Sequence, residues 1–560
     1  MENKKKNTEK TFIKLYERSF AENFELHAMN DFGSSKVFTY GDVARQVARL
    51  HILFEECRIC KGEKISIIGK NSSRWAIAHI ATITYGAVIV PILHDFNAND
   101  IAHIVNHSDS VLLFSADSIW ETLNENSMPE LKGVISLTDY RMLYQREGER
   151  LNEILQNLDE KFDIKYPNGF GPTNIIYSNQ PDSDMVVLNY TSGTTGFSKG
   201  VMISGANLSG NMNFAHTDIH LQKGDRMLSF LPLAHTYGAA FDFFYALTEG
   251  VHTTYLGKTP APKILLQAFA EVRPEVVISV PLIFEKIYKN MILPMLGKRA
   301  ISLALNVPVL DNQIYAQFRR KLISALGGKC RLVVIGGAPF NNEVEDFFLK
   351  IKFPFCVGYG MTECAPLISF EADPSEFIPH SCGKVLPCME VRIDSEDPQS
   401  IAGEIQTRGQ NVMIGYYKNQ TATNAVFTED GWLHTGDLGT IDRKKNLSIR
   451  GRSKSMILSS SGQNIYPEEI EAKLNNLPFV MESLVLEKGN KLIALVYPDY
   501  ESLAQTGISH EDLPLMMEKN KADLNNMVAS YEKISTIQLY PNEFEKTPKK
   551  SIKRYLYSNI

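Results

Sequence analysis

Apolar positions along this chain gather into short continuous runs rather than a strict apolar–polar alternation. KISIIG (64–69), VVLNY (186–190), RMLSFLPL (226–233), EVVISV (275–280) and RLVVIGG (331–337) are the clearest of them. Such runs predict parallel strands covered on both faces. The helical or glycine-rich stretches between them predict a doubly wound α/β arrangement. AIAHIATITYGAVIVPILH (76–94) comes nearest to a membrane span, but His79, two threonines, Tyr85, Gly86 and Pro91 interrupt it. It predicts a buried helix ending near Gly86, followed by a core strand into Pro91. After about residue 400 the texture changes: GEIQTRG (403–409), GWLHTGD (431–437) and NLSIRGR (446–452) predict short antiparallel strands with polar turns. From Ser453 onward the tail predicts a separate α+β unit.

Composition narrows the function classes. The 560 residues are 44% hydrophobic and 22% charged, with a formal net charge of −6, which describes a multidomain globular chain. The acidic balance gives no reason to expect nucleic-acid binding. Seven cysteines, an odd number, follow a start (MENKKKNTEK) that has no apolar leader segment, and this points to a reducing cytoplasm. The lone pair Cys57 and Cys60 has no second pair at zinc spacing. One segment departs from the overall charge: residues 285–331 hold nine Lys/Arg against Glu285 and Asp311, a net of +7, interleaved with apolar residues. This face suits weak peripheral contact with anionic lipid, or the phosphates of coenzyme A; an ordinary solvated amphipathic surface explains it equally well.

The densest chemical signal is Thr191-Ser192-Gly193-Thr194-Thr195-Gly196-Phe197-Ser198-Lys199-Gly200, directly after the apolar run ending at Tyr190. Glycines let backbone N–H groups approach phosphate oxygens, hydroxyls donate further bonds, and a lysine offsets charge. It is not a Walker loop, because no GK[ST] follows its second glycine at the required spacing. Further along come Gly336-Gly337-Ala338-Pro339, Gly358-Tyr359-Gly360-Met361-Thr362-Glu363, Thr435-Gly436-Asp437, Gly451-Arg452-Ser453-Lys454 and Ser461-Gly462-Gln463-Asn464-Ile465-Tyr466-Pro467-Glu468-Glu469.

In content and order these segments resemble the AMP-forming adenylating superfamily, which includes acyl-CoA synthetases, luciferases and peptide-synthetase adenylation domains. The likeness is greatest to long-chain fatty acid–CoA ligases and spans residues from about 38 to about 554. It implies a large N-terminal domain of doubly wound sheets with a small antiparallel, barrel-like subdomain (1–452), and a small mobile α+β domain (453–560). It implies that residues 191–196 and Lys199 hold the phosphates of ATP, and that adenine lies between Gly337-Ala338-Pro339 and Tyr359-Gly360. Thr362 contacts the α-phosphate, Glu363 with Thr191 holds Mg²⁺, Asp437 and Arg452 take the ribose, and Lys454 is the hinge. Its reaction is activation of a fatty acid as acyl-AMP, then transfer to coenzyme A. Delivery to a carrier-protein thiol, or nucleotide binding without catalysis, are the alternatives.

His235, in LPLAHTYG (231–238), matches the segment lining the family's carboxylate pocket. Peptide-synthetase domains place an aspartate near the position of Thr236, which disfavours amino-acid activation, although Asp242 lies close by. One departure stands out. The family motif K-T-x-x-G-K-I-x-R reads here as Lys546-Thr547-Pro548-Lys549-Lys550-Ser551-Ile552-Lys553-Arg554. Ser551 therefore occupies the place of the catalytic lysine, and Lys550 is the first candidate to replace it, ahead of Lys549 and Lys553.

Overall fold

A computed structural model of the protein describes residues 11–191, 199–305, 307, 310–458, 463–489, 491–506, 509–547 and 552–557, with no side chain described at 300, 302 or 505. Ser192, Gly193, Thr194, Thr195 and Gly196 of the phosphate loop, and Lys549, Lys550 and Ser551 near the end, lie outside the described residues. The chain divides into two compact units. One contains the sequence up to Thr191, continues to Glu390 and takes in Arg408–Gly431; the other contains Val391–Thr407 and the chain from Trp432.

The first unit is built on three sheets with parallel cores. The largest has eight strands in the order Gly415–Tyr416, Lys199–Ser204, Met185–Thr191, Val88–Ile92, Lys64–Ile68, Ser110–Ser115, Gly133–Ser136 and Met142–Gln145. The five strands from Met185–Thr191 to Gly133–Ser136 run parallel, and antiparallel strands flank them at both ends. The run at 186–190 is therefore parallel to one neighbour only; on its other side it forms an antiparallel pair with the strand that leaves the phosphate loop. A second sheet joins Arg226–Ser229, His252–Tyr255, His27–Asp31 and Val37–Thr39. A third joins Val276–Ser279, Leu332–Ile335 and Phe355–Val357, all parallel.

Local signals set the element ends. Ser72 caps the helix Ser73–Tyr85 by accepting from the Trp75 N–H, and Gly86 ends it at φ +99°, a left-handed turn that a side chain would strain. The strand Val88–Ile92 then follows with every residue buried, so the interrupted apolar stretch is a core helix and strand. No helix among the described residues is long and apolar enough to cross a membrane. The run at 226–233 stops being a strand after Ser229, because Asn71 captures its continuation. The Asn71 amide donates to the Leu231 carbonyl at 2.6 Å and its oxygen accepts from the Leu233 N–H at 3.0 Å.

The second unit carries a four-stranded sheet in the order Met389–Asp394, Gly403–Gly409, Leu433–Ile441 and Leu447–Arg452, with the last three antiparallel as expected. Beyond it, Val480–Lys488 and Lys491–Pro498 form a hairpin joined in parallel by Ile534–Leu539. The helices Pro467–Leu474 and Leu513–Met527 cover this sheet around a core that includes Ile470, Leu474, Val485, Val496 and Leu524. Proline at the start of Pro467–Leu474 and two acids in its first turn suit the positive end of a helix.

Candidate active site

One cavity of the first unit, about 40 Å³, brings together residues separated by more than a hundred positions: His235, Gly337, Tyr359, Gly360 and Thr362 all line it. His235 caps the short helix Thr236–Gly238, its Nδ1 accepting from the Tyr237 N–H at 3.3 Å. The helix continues through a wide π turn over Ala239–Tyr245. Two amides hold the His235 turn in place: the half-buried Asn71, described above, and the buried Asn189, which donates to the Ala234 carbonyl at 2.9 Å. Tyr237 ties the same turn to the third sheet, its hydroxyl 3.2 Å from the carbonyls of both Ser279 and Val334. Its ring lies so close to Gly336 that a Cβ there would sit 3.2 Å from Tyr237 Cζ. A side chain would therefore have to displace the Tyr237 ring slightly where the strand Leu332–Ile335 turns into the cavity wall.

The opposite wall is the strand pair Tyr359–Gly360 and Leu367–Phe370. Gly360 is pressed against the backbone: an added Cβ would fall 2.0 Å from the Pro366 carbonyl oxygen. Tyr359 is half-buried, while Gly337, Ala338 and Pro339 are exposed. Ala338 and Pro339 do not line the cavity. The remaining lining is chiefly aliphatic or aromatic, among it Ile219, Phe241, Val334 and Phe370, and includes no acidic side chain among the described residues. Asp242, which the sequence left as a partner for a substrate amine, is fully buried and lines neither this cavity nor the smaller one behind Thr236. Burial pushes its carboxyl well above the usual carboxylate range, with Ser229 acting in the opposite direction.

Glu363 follows Thr362 on a single tight turn, Thr362–Cys364, and its carbonyl accepts from the Met413 N–H at 2.8 Å. Its Oε1 accepts from the Tyr416 hydroxyl at 2.9 Å. Thr191 and Lys199, at the two feet of the phosphate loop, are directly paired across the antiparallel ladder. The Lys199 Nζ lies 4.7 Å from the centre of the Tyr416 ring. Asn71, Asn189, Tyr237 and Tyr416 belong to no site assignment made from sequence. Tyr237 alone stood inside a motif already singled out, and the other three had no such signal.

In the second unit Asp437 and Arg452 face each other across adjacent strands, Arg452 Nε lying 2.9 Å from Asp437 Oδ1. Asp437 is nearly buried and Arg452 largely exposed, so the pair presents its cationic member to solvent. Lys454 is exposed, two residues past that strand. The base of the terminal lysine segment is closed by an antiparallel bridge between Lys546 and Ile552. Lys546 pairs with Glu482 at 2.5 Å and Lys553 with Glu545 at 3.5 Å, while Arg554 reaches the buried Glu471. All seven cysteines are free, and burial raises the Cys57 thiol to about 11, which makes it a poor nucleophile.

The sequence profile of the AMP-binding enzyme family matches residues 16–417. The chain belongs to that family. Among curated AMP-binding relatives, the long-chain-fatty-acid–CoA ligase FadD15 of Mycobacterium tuberculosis is 28% identical, over 92% of this chain and 89% of its own. Long-chain-fatty-acid–CoA ligase 6 of Mus musculus is 27% identical, over 90% of this chain and 78% of its own. The fold matches ATP-bound MatB from Rhodopseudomonas palustris with a TM-score of 0.75 at 20% identity, covering 98% of both chains. It also matches the anthranilate CoA ligase AuaEII with bound anthranoyl-AMP, with a TM-score of 0.77 at 18% identity, covering 98% and 96%. As an AMP-binding enzyme the chain falls among adenylating acid–CoA ligases, whose acids differ widely.

Proposed function

We propose that this enzyme converts a long-chain fatty acid to its acyl-AMP with ATP and then transfers the acyl group to coenzyme A. The observation that carries this reading is the cavity beside His235 and Thr362. There the polar His235 and Thr362 sit among aliphatic and aromatic residues, and none of its described lining side chains is acidic, which suits a carboxylate beside apolar matter. The two long-chain ligases cited above agree with it. In the first half-reaction the carboxylate attacks the α-phosphorus and pyrophosphate leaves. The chain's part is to hold the reactants in line and stabilise phosphoryl charge, through Lys199, Thr362 and the loop beginning at Thr191. Adenine stacks on Tyr359 against the Gly337–Pro339 backbone, and Asp437 with Arg452 takes the ribose.

Mg²⁺ suits the donors present. The Glu363 carboxylate and the Thr191 hydroxyl are hard oxygen ligands, and Glu363 is half-buried with one oxygen already oriented by Tyr416. When bound, the ion offsets phosphate charge. In the second half-reaction a rotation about Lys454, at the boundary we place between residues 452 and 453, admits the thiol to the acyl carbon and AMP leaves. Lys550, ahead of Lys549 and Lys553, supplies the ammonium that Ser551 lacks.

ATP–pyrophosphate exchange over a panel of acids, with and without coenzyme A, tests the reading. Exchange with long-chain fatty acids, plus AMP and a thioester when coenzyme A is present, is the expected result. Exchange without a thioester points to a carrier-protein thiol, and no exchange with any acid overturns the enzymatic reading.

A further inference from the structure

Tyr416 lies outside every motif that marks the site, yet it touches two of the site's charged groups. Its short strand, Gly415–Tyr416, is the edge of the eight-stranded sheet and pairs with the strand leaving the phosphate loop, Tyr416 opposite Val201. The next N–H, that of Tyr417, donates to the Gly200 carbonyl at 2.8 Å. The backbone here is thus fastened beside Lys199. The Tyr416 side chain, 6% exposed, donates its hydroxyl proton to Glu363 Oε1 at 2.9 Å and places its ring 4.7 Å from the Lys199 Nζ.

Three other buried tyrosines of this unit give their hydroxyls to backbone. Tyr40 donates to the Val251 carbonyl, Tyr245 to Ile219, and Tyr237 to Ser279 and Val334. Those bonds satisfy backbone within the core, where an unpaired polar group is costly. Tyr416, like Tyr288 with Glu343, gives its proton to a carboxylate, but here the carboxylate belongs to the candidate site and the same ring lies beside Lys199.

We propose that Tyr416 is a positioning residue for the nucleotide–metal site: its hydroxyl fixes the Glu363 carboxylate and its ring seats the Lys199 ammonium. Both long side chains are held before nucleotide arrives, which removes the rotamer entropy otherwise lost on binding. A carboxylate that ligates a cation commonly depends on such an outer hydrogen bond, and loss of one weakens metal binding ~10–100-fold. The inference rests on the reading of Glu363 as the metal carboxylate.

Mn²⁺ with α,β-methylene-ATP, an analogue that cannot be cleaved at the α-phosphate, tests it by electron paramagnetic resonance and calorimetry on the full chain. Tyr416→Phe keeps the ring under Lys199 and removes only the hydroxyl. Its Mn²⁺ dissociation constant is expected to rise ~10-fold, with the metal-free affinity for the analogue and the melting temperature unchanged. Tyr417→Phe, which loses a bond to Asp109 on the same segment, is expected to match the wild type. Tyr416→Leu is expected to lose metal-free affinity as well, because Lys199 loses its seat; it also reads the coupling if the phenylalanine variant folds poorly. Wild-type Mn²⁺ affinity in Tyr416→Phe alongside weak binding in Glu363→Gln overturns the positioning role and leaves the metal reading intact. An equal fall with and without metal overturns it in favour of general loosening. Full Mn²⁺ affinity in Glu363→Gln overturns the metal reading and the inference together.

Discussion

Asp242 stands in the wide turn after the His235 helix with no exposed surface, and burial holds its carboxyl protonated well above the pH at which a carboxylate ordinarily forms. A neutral acid that lines neither cavity offers no counter-charge to an ammonium, so Asp242 as it sits here lends no support to amino-acid activation. The raised value has a definite sign for stability. Its contribution is fully present below the unfolded-state value, about 4, and is lost as pH rises through the folded-state value. Asp242→Asn lacks that slope, so the melting-temperature difference between variant and wild type should move in favour of the variant from pH 4 to pH 8. A constant difference across that range would count against a buried, protonated carboxyl. At the same scale, Lys550→Ala should slow acid-dependent pyrophosphate exchange at least tenfold, about 1.4 kcal/mol or more of transition-state stabilisation, while slowing thioester formation from preformed acyl-AMP less. An unchanged exchange rate removes Lys550 from the chemistry.

Elements position these residues through close backbone contacts. Gly360 packs against the Pro366 carbonyl with no room for a methyl group, so Gly360→Ala must part the strands that carry Tyr359 and lead to Thr362. It is expected to cost about 1–3 kcal/mol of stability and to lower adenylation at least tenfold, read by thermal melting and exchange assay. The strands themselves were legible because aliphatic runs covered on both faces have few other fates in a chain of this size. Of the motif residues taken from the family resemblance, His235, Gly337, Tyr359, Gly360 and Thr362 come together around one cavity, while Ser192 to Gly196 lie outside the described residues. Asn71 and Asn189 were not legible in the sequence. Each fixes the His235 turn from far away in sequence, and a lone asparagine in a helical or apolar context has no pattern that announces its partner. Tyr416 was hidden for a similar reason, since only sheet order puts it beside Glu363 and Lys199. The antiparallel strand after the phosphate loop was missed because local apolar content does not encode strand direction.

For the whole molecule, two expectations reach beyond the cavity. Lys454→Pro should leave pyrophosphate exchange near wild type and slow thioester formation at least tenfold if Lys454 is the hinge; equal losses in both half-reactions would exclude it. The segment 285–331 adds exposed apolar residues to its lysines, with Leu282 51%, Leu293 39%, Leu303 63% and Leu310 43% accessible on or beside it. We propose that this face, whose cations and leucines would also suit an ordinary solvated surface, makes weak contact with anionic lipid. Co-sedimentation with vesicles should therefore rise with phosphatidylserine content and fall with salt, and indifference to both would remove the membrane role.

Thr191 and Lys199, the described residues on either side of the phosphate loop, are paired across an antiparallel ladder. A Walker-type cradle sets phosphates on a helix N-terminus, whose aligned peptide dipoles attract anions whatever the surrounding side chains do. Here the described residues that bracket the loop are strand residues, so the loop leaves and re-enters the fold through a β-ladder. The sheet thereby fixes the two ends of the loop to each other, whatever binds between them.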